Sequence, residues 1–268
     1  YTALRSVYAP PHAVMPRAKA AAAQALALDP KLAAAHVSMG GVMMFYDFDW
    51  DGAERELREA IALSPNLAEA HDYYALLLAV KGRKAEAFEE SALARSLDPM
   101  SLTILNNAGW VHYLGGEPDR TIALNRKALE IDPGFWPAMR DLGLGYEKMG
   151  RFEEAVTTLE HARRLDANPS ILEMLAGAYA AWGKNDAARK VLAELERQAN
   201  EQYVCPYEIA TVYAGLGDKA ATMTWLEKGH DERADCMPWA RSDPKLDVMR
   251  GDPRFDALMQ RMRISIEH

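Results

Sequence analysis

The 268-residue sequence has few cysteines and no long apolar run. Its two cysteines, Cys205 and Cys236, lie in no Cys-x-x-Cys or Cys/His motif, so the sequence indicates neither a disulfide framework nor a zinc site. We therefore expect Cys205 to be buried or inert, and the cytoplasm, a reducing compartment, is the default localisation. Without about 18 consecutive apolar residues there is no candidate membrane span, and residues 1–12 resemble no signal peptide.

Positive charge is also scarce. Lysine and arginine total 31 against 39 acidic residues, which gives a formal net charge of -8. This is the wrong sign for a surface that binds nucleic acid or anionic lipid, so we expect no direct contact with either. The hydrophobic content of 49% supports a large core and excludes disorder as the main state. Because the chain begins at Tyr1 within what reads as a helix, we expect a fragment or processed form of a longer polypeptide.

Sequence motifs of catalysis are missing as well. There is no GxxxxGK[ST], HExxH or GxSxG motif, so we predict no catalytic residues, no cofactor and no enzyme activity. The glycines of LGLGYEKMG (residues 142–150) look like a phosphate-binding loop. Such a loop lies between a strand and a helix N-terminus, whereas these glycines fall within and at the end of a predicted helix. The nucleotide interpretation therefore fails, and only Gly145 is left without a role.

Two weak metal patterns have simpler interpretations. His36 and His71 occupy equivalent places in consecutive repeats, but no third ligand follows at helical spacing, so packing on a helix face is favoured over metal binding. Asp47, Asp49 and Asp51 alternate like calcium ligands. They lack the central glycine and the closing glutamate of a calcium loop, so a solvated turn between helices is favoured, and we predict no metal site.

The sequence does contain an internal repeat. A helix-ending signature recurs as LALDP, IALSP, RSLDP, LEIDP and RRLDA, with steps of 35, 34, 34 and 34 residues between its last positions, which are Pro30, Pro65, Pro99, Pro133 and Ala167. Alanines also recur at fixed offsets before these positions. This period predicts pairs of antiparallel helices, each too short to bury its apolar face alone, that stack into an elongated array.

The best unit, residues 134–167, resembles a tetratricopeptide repeat, whose pattern is W-x2-L-G-x2-Y, A-x3-F, a second alanine and a closing proline. Its matching residues are Leu142, Gly143, Tyr146, Gly150, Ala155, Leu159 and Ala162. The resemblance implies an all-α, right-handed superhelix. Residues 1–235 would form about six to seven helix pairs, the first one partial, and residues 236–268 would form C-terminal capping helices. We predict pairs at 33–65, 68–99, 102–133, 136–167, 170–200 and 203–235, with one extra residue in YDFDWDGA (residues 46–53).

The tail resembles a narrower group. WLEKGHDER, DPRFDALMQRM and DWDGAERELREAIALSPNLAEAH are similar to the C-terminal repeat region of multidomain bacterial signalling proteins, where the array follows a winged-helix, nucleotide cyclase or protein kinase domain. This implies a non-catalytic interaction module of a larger signalling or transcription-regulating protein. The alternative is an accessory segment that regulates an upstream cyclase or kinase, and a hydrolase within the array is a distant third. Four apolar tail residues have the spacing to dock on the array: Phe255, Leu258, Met259 and Met262.

The family geometry implies a partner site on the concave face, which the first helix of each pair lines. On this register the site consists of Tyr73, Asn106, Asn107, Trp110, Tyr113, Arg140 and Asp141. Its centre is formed by Asn107, Trp110, Tyr113 and Arg140. Aromatic, arginine and amide side chains suit an extended peptide or a protein partner. The alternative, that Trp110 and Tyr113 pack against a neighbouring second helix, stays open. A clamp for a C-terminal carboxylate is disfavoured, because Asp141 would repel it and only Asn107 matches the clamp pattern. The sequence indicates no oligomeric state.

Overall fold

The protein is built of α-helices that run antiparallel in pairs. The computed structural model describes residues 9–263, and no β-strand occurs within that range. A π-helical turn (Met43–Asp47) follows the second helix, and two 3₁₀ helices (Met237–Arg241 and Pro244–Met249) precede the last one. The α-helices are α1 (Pro11–Leu28), α2 (Ala33–Val42), α3 (Trp50–Leu63), α4 (Ala68–Val80), α5 (Lys84–Leu97), α6 (Leu102–Leu114), α7 (Pro118–Ile131), α8 (Trp136–Lys148), α9 (Phe152–Leu165), α10 (Pro169–Ala181), α11 (Asn185–Ala199), α12 (Pro206–Gly215), α13 (Lys219–Asp231) and α14 (Pro253–Arg261).

The predicted all-α fold is confirmed. In the described part of the chain, helix α1 is followed by six pairs, from α2 with α3 to α12 with α13. The first helices of successive pairs pack side by side and line the concave face. The first four helix-ending signatures mark helix ends as predicted, since α1, α3, α5 and α7 each end two residues before Pro30, Pro65, Pro99 and Pro133. A division of the chain after residue 235 stays a prediction.

The turn inside each pair depends on a left-handed backbone residue. Five pairs use a glycine there, with φ between 71° and 79°: Gly82, Gly116, Gly150, Gly183 and Gly217. The first complete pair differs, because its extra residue forms the π-helical turn and Phe48 takes the left-handed conformation at φ 54°. Gly150 therefore turns the chain as predicted, whereas the departure at Phe48 follows from the insertion in YDFDWDGA.

Small residues lie where paired helices cross. In the unit that best matches the repeat pattern, Ala155 and Ala162 are completely buried. A Cβ atom added to Gly143 would lie 2.6 Å from Cγ of Leu159, which is closer than real side chains pack. These positions are small because α8 and α9 approach each other closely there, as the sequence pattern predicted.

The C-terminal segment, residues 236–263, folds back across the concave face. Its docking residues are buried as predicted: Phe255, Leu258, Met259 and Met262 are 0–3% exposed. Helix α14 packs on α13, and the first 3₁₀ helix contacts α4 and the π-helical turn. At the far end, Trp50 Nε1 of α3 donates to the backbone carbonyl of Met262 at 2.8 Å. The segment therefore joins the last pair of the array to its first complete pair and shares one apolar core with both.

The two cysteines form a disulfide, which the sequence did not indicate. Cys205, directly before α12, is bonded to Cys236, directly before the first 3₁₀ helix, with their Cα atoms 6.7 Å apart. Cys205 is buried, as expected. The pairing was not visible in the sequence, because the two residues come together only when α13 returns the chain to the start of α12. Within residues 9–263 no helix combines the length and the apolar character that crossing a membrane requires.

Candidate interaction groove

The residues predicted to form the partner site lie on three neighbouring first helices. Tyr73 is on α4, and Arg140 and Asp141 are on α8. Asn106, Asn107, Trp110 and Tyr113 are all on α6, between the other two. The structure therefore brings all of them to the concave face, but in surroundings that differ from one to the next.

Trp110 and Tyr113 are covered by the C-terminal segment. Tyr113 is 1% exposed, and its hydroxyl donates to Oδ1 of Asp243 at 2.8 Å. The ring of Trp110 stacks on Tyr113 at 5.1 Å and meets Trp239 edge-on at 5.6 Å between ring centroids. Trp239 also contacts Phe45 at 5.8 Å. The open question of what these aromatic residues pack against is thus answered by a part of the chain that neither interpretation considered.

A polar network holds Arg140 in place. Nε of Arg140 donates to Oδ1 of Asp141 at 2.7 Å, and Asn106 donates to the other oxygen of Asp141 at 2.7 Å and to Asn125 at 3.0 Å. Asp141 is 1% exposed and Asn106 is 8% exposed, so both act mainly by positioning Arg140. Burial lowers the pKa of Arg140, but Asp141 raises it above its ordinary value, so the guanidinium stays charged.

Asn107 and Tyr73 lie nearer the open side of the face. Nδ2 of Asn107 donates to Oδ2 of Asp72 at 2.7 Å, which links α6 to α4. Asp72 is buried, whereas Tyr73 is half-buried and meets Phe45 edge-on at 6.4 Å. These two predicted residues therefore border open space, unlike Tyr113.

Two adjoining spaces occur at this face, and both are lined by Asn106, Asn107 and Arg140. The larger one, here called the outer groove, has a volume of about 920 Å³ and runs along the N-terminal ends of α4, α6 and α8. The smaller one, the inner cavity, has a volume of about 150 Å³ and lies between α6, α8, α10, α12 and the start of the C-terminal segment. Four predicted residues line the outer groove: Tyr73, Asn106, Asn107 and Arg140.

Acidic side chains dominate the inner cavity, and sequence reasoning missed them. Glu173 of α10 is 3% exposed and accepts hydrogen bonds from Lys245 and Thr211, each at 2.7 Å. Burial and the nearby Glu173 raise the pKa of Glu208 of α12 to about 8, although Arg140 lowers it. Glu173 and Glu208 lie in the sixth and seventh predicted units, where the match to the repeat pattern is weak and gave no sign of a site.

The two histidines and the three aspartates have structural roles. His36 Nδ1 lies 2.7 Å from Glu56 and its Nε2 lies 3.0 Å from the carbonyl of Pro30. His71 repeats this arrangement with Glu90 at 2.6 Å and the Pro65 carbonyl at 2.9 Å. Asp47 pairs with Lys19 at 2.6 Å, Asp49 caps α3 by accepting from Gly52 N at 3.0 Å, and Asp51 lies 3.7 Å from Lys81. Each histidine thus ties a repeat junction to the next helix.

Comparison with known proteins agrees with this geometry. Residues 140–203 match the family model of the tetratricopeptide repeat. The chain has the fold of a tetratricopeptide-repeat solenoid, and its match to the family model covers residues 140–203. Solved structures show the same fold. PilF of Pseudomonas aeruginosa aligns with a TM-score of 0.55 and 19% identity, over 85% of this chain and 97% of PilF. PilW, described as a widely conserved type IV pilus biogenesis factor, aligns with a TM-score of 0.58 and 18% identity, over 85% of this chain and 98% of PilW.

Curated relatives of this solenoid align over part of their length. The chain is 36% identical over 91 residues to photosystem I assembly protein Ycf3 of Synechococcus sp. (strain CC9605), which covers 32% of the chain and 53% of Ycf3. It is 31% identical over 111 residues to a protein of Hordeum vulgare named probable UDP-N-acetylglucosamine–peptide N-acetylglucosaminyltransferase SPINDLY. That alignment covers 39% of the chain and 12% of SPINDLY. The chain therefore spans about half or less of the length of these relatives.

Proposed function

We propose that this chain is a non-catalytic protein-interaction module and that an extended segment of a partner protein binds in the outer groove. The observation that carries the proposal is the open space of about 920 Å³ on the concave face. The C-terminal segment fills the neighbouring part of the face, where it contacts Tyr113, and leaves this groove uncovered. Four of the residues predicted from the repeat register line it: Tyr73, Asn106, Asn107 and Arg140.

The composition of the outer groove suits a peptide backbone and its side chains. Tyr73, Phe135 and Trp136 are partly buried, so their rings are already fixed and offer apolar contact area at small entropic cost. Asn107 and Arg140 lie beside these rings and have N–H groups that can donate hydrogen bonds to the carbonyls of an extended chain. Tetratricopeptide repeats supply a binding surface rather than a reaction, which supports a scaffold over an enzyme.

The module is proposed to be the regulatory part of a larger bacterial signalling or transcription-regulating protein. The disulfide between Cys205 and Cys236 argues against the reducing compartment that the sequence favoured. The resemblance of WLEKGHDER and DPRFDALMQRM to the C-terminal arrays of such proteins supports this role. Ycf3 is named an assembly protein, which agrees with a scaffold function in general. A second candidate, based on the same resemblance, is an accessory segment that regulates an upstream nucleotide cyclase or protein kinase.

Selection of displayed peptides tests the proposed groove. Random peptides of about 12 residues, which span about 40 Å when extended, would be selected on the wild-type chain and their affinities measured by fluorescence anisotropy. Thr103 of α6 is exposed and lines the groove, so Thr103→Trp fills it whatever the chemistry of the ligand. Thr157→Trp places the same side chain at an exposed position of α9, a second helix, and is the matched control.

We expect Thr103→Trp to weaken binding of the selected peptides by about tenfold or more, and Thr157→Trp to leave it unchanged. Arg140→Ala should also weaken binding, because the guanidinium borders the groove. Selected peptides that bind Thr103→Trp as well as the wild-type chain would show that the partner site lies elsewhere.

A further inference from the structure

The charges around the outer groove are strongly one-sided. Glu69, Asp98 and Asp132 line it and are exposed, and Asp72 lies buried in its wall. Arg140 is the one cationic residue among the groove-lining residues that the structure describes, and Asp141 already binds its Nε at 2.7 Å. Of the exposed carboxylates, Asp132 accepts one backbone hydrogen bond, from Gly134 N at 2.9 Å.

The first two of these carboxylates have no compensating cation. Within residues 9–263, no hydrogen bond or ion pair engages the side chain of Glu69 or that of Asp98. They lie at the start of α4 and the end of α5, on either side of the groove entrance. The half-buried rings of Tyr73, Phe135 and Trp136 lie in the same wall, and such rings attract cations through their faces.

The inner cavity, which adjoins the groove, is also lined mainly by acidic rather than basic side chains. Arg140 is bound to Asp141, and Lys245 is bound to Glu173 at 2.7 Å, so these two cations are already paired. Within residues 9–263 no cation is hydrogen-bonded to Glu208, which lies in the same wall, and the carboxylate of Glu173 adds negative charge nearby. The cavity of about 150 Å³ is about 10 to 15 times the volume of about 10–15 Å³ that one water needs, so it has room for the end of a long side chain.

We propose that the partner segment is basic: an extended peptide whose lysine or arginine side chains face Glu69, Asp98 and Asp132, with one long basic side chain that enters the inner cavity beside Glu208. This inference rests on the proposed function, since it names the chemistry of the partner for the same groove. The aromatic walls contact the methylene stems of the basic side chains, and the carboxylates bind their charged ends. The net charge of -8 attracts such a segment from a distance and repels an acidic one.

The same peptide selection tests the inference, with charge as the readout. We expect lysine and arginine to be enriched about twofold or more in the selected peptides, and their affinity to fall as salt is raised from about 50 to 500 mM. The double variant Glu69→Lys/Asp98→Lys should weaken them about tenfold or more. Its matched control is Glu89→Lys/Glu130→Lys, which makes the same change in net charge at exposed positions of α5 and α7.

The contribution of the inner cavity has its own test. Glu208→Gln keeps the size of the side chain and removes the carboxyl group, whose raised pKa an inserted lysine ammonium would lower so that it ionises. The variant should weaken binding of a selected peptide whose lysine enters the inner cavity by about tenfold. It should have little effect on binding of the same peptide with norleucine in place of that lysine. Equal losses for both peptides would contradict insertion beside Glu208, and thermal melting of the variant identifies any general loss of structure.

The two proposals fail in different ways. Peptides that are neutral or acidic, but that lose affinity with Thr103→Trp, would overturn the basic partner and leave the groove in place. Basic peptides that bind Thr103→Trp and Glu69→Lys/Asp98→Lys like the wild-type chain would show non-specific attraction to an acidic protein and would overturn both. Equal weakening by the groove double variant and its control would likewise show that net charge alone is responsible.

Discussion

Tyr113 and Asp243 are 130 residues apart in the sequence and are joined by a 2.8 Å hydrogen bond inside the array. Asp243 also accepts a hydrogen bond from the hydroxyl of Tyr207 and, through Oδ1, one from the backbone nitrogen of Lys245 at 2.8 Å. One carboxylate thus connects α6, α12 and the start of the second 3₁₀ helix. Burial and the charge of Asp243 raise the pKa of both tyrosines, so both hydroxyls stay protonated donors.

Removing this carboxylate should loosen the C-terminal segment. Asp243→Ala leaves two buried hydroxyl groups without an acceptor, and we expect it to lower the free energy of unfolding by about 3 kcal/mol. Tyr113→Phe removes a single donor and should cost about 1–2 kcal/mol. Urea denaturation followed by tryptophan fluorescence measures both changes. The change caused by Tyr113→Phe should disappear in the Asp243→Ala background, because the two residues act as one unit. Additive losses would contradict the connection.

The repeated part of the fold could be predicted, because its cause is local. The 34-residue step, the alanines at helix crossings and Gly150 each follow from packing or backbone rules that act within one unit. The way the C-terminal segment folds back could not be predicted, because the segment does not follow the 34-residue repeat. Asp243 meets Tyr113 and Tyr207 only after the superhelix has curved, and no spacing rule in the sequence specifies that meeting.

The candidate site was predictable to a similar degree. The repeat register placed Asn107 and Arg140 on the concave face, since that face depends only on helix position. It could not indicate that Trp239 would cover Trp110, nor that Glu208 would border a cavity. Those outcomes depend on contacts between units and on which part of the face the chain itself occupies.

The disulfide between Cys205 and Cys236 should stabilise the attachment of the C-terminal segment. The bond closes a loop with a sequence separation of 31, for which the entropy of the unfolded chain gives about 3–4 kcal/mol. Adding dithiothreitol should therefore lower the melting temperature of the wild-type chain. The double variant Cys205→Ser/Cys236→Ser should melt at the lower temperature with or without the reductant. If the melting temperature of the wild-type chain did not change with the reductant and equalled that of the double variant, the bond would contribute nothing to stability.

Glu208 should make stability depend on pH. Its pKa is about 8 in the folded protein against an ordinary value of 4.5. Between these values the carboxyl is protonated in the folded chain but ionised in the unfolded one, so its contribution to stability falls as pH rises and is lost completely above pH 8. The loss amounts to at most about 5 kcal/mol.

Glu208→Gln isolates this effect, since glutamine resembles the neutral acid. We expect the variant to melt close to the wild-type chain near about pH 5 and above it near about pH 8.5. Differential scanning calorimetry at both pH values checks the prediction. Glu154→Gln is a suitable control, because Glu154 is exposed and is bonded to Arg151 at the surface. A difference between Glu208→Gln and the wild-type chain that does not change with pH would contradict the raised pKa.

Gly145 lies where α8 crosses α7, and this contact explains the glycine that the repeat pattern did not require. A Cβ atom there would lie 2.7 Å from Cγ1 of Ile122 and 3.5 Å from the carbonyl oxygen of Pro118. Gly145→Ala should therefore destabilise the protein by about 1–3 kcal/mol, although alanine is the better helix former by about 1 kcal/mol. Urea denaturation measures the change.

Two matched variants separate crowding from helix propensity. Gly177→Ala, in α10, adds a Cβ whose nearest neighbours are 3.7 Å away, so it should stabilise by up to about 1 kcal/mol. In the Ile122→Ala background the crowding atom is gone, and Gly145→Ala should then become stabilising by a similar amount of about 1 kcal/mol. If Gly145→Ala instead destabilised the protein equally with and without the Ile122 side chain, contact with α7 would not be the reason that this position is glycine.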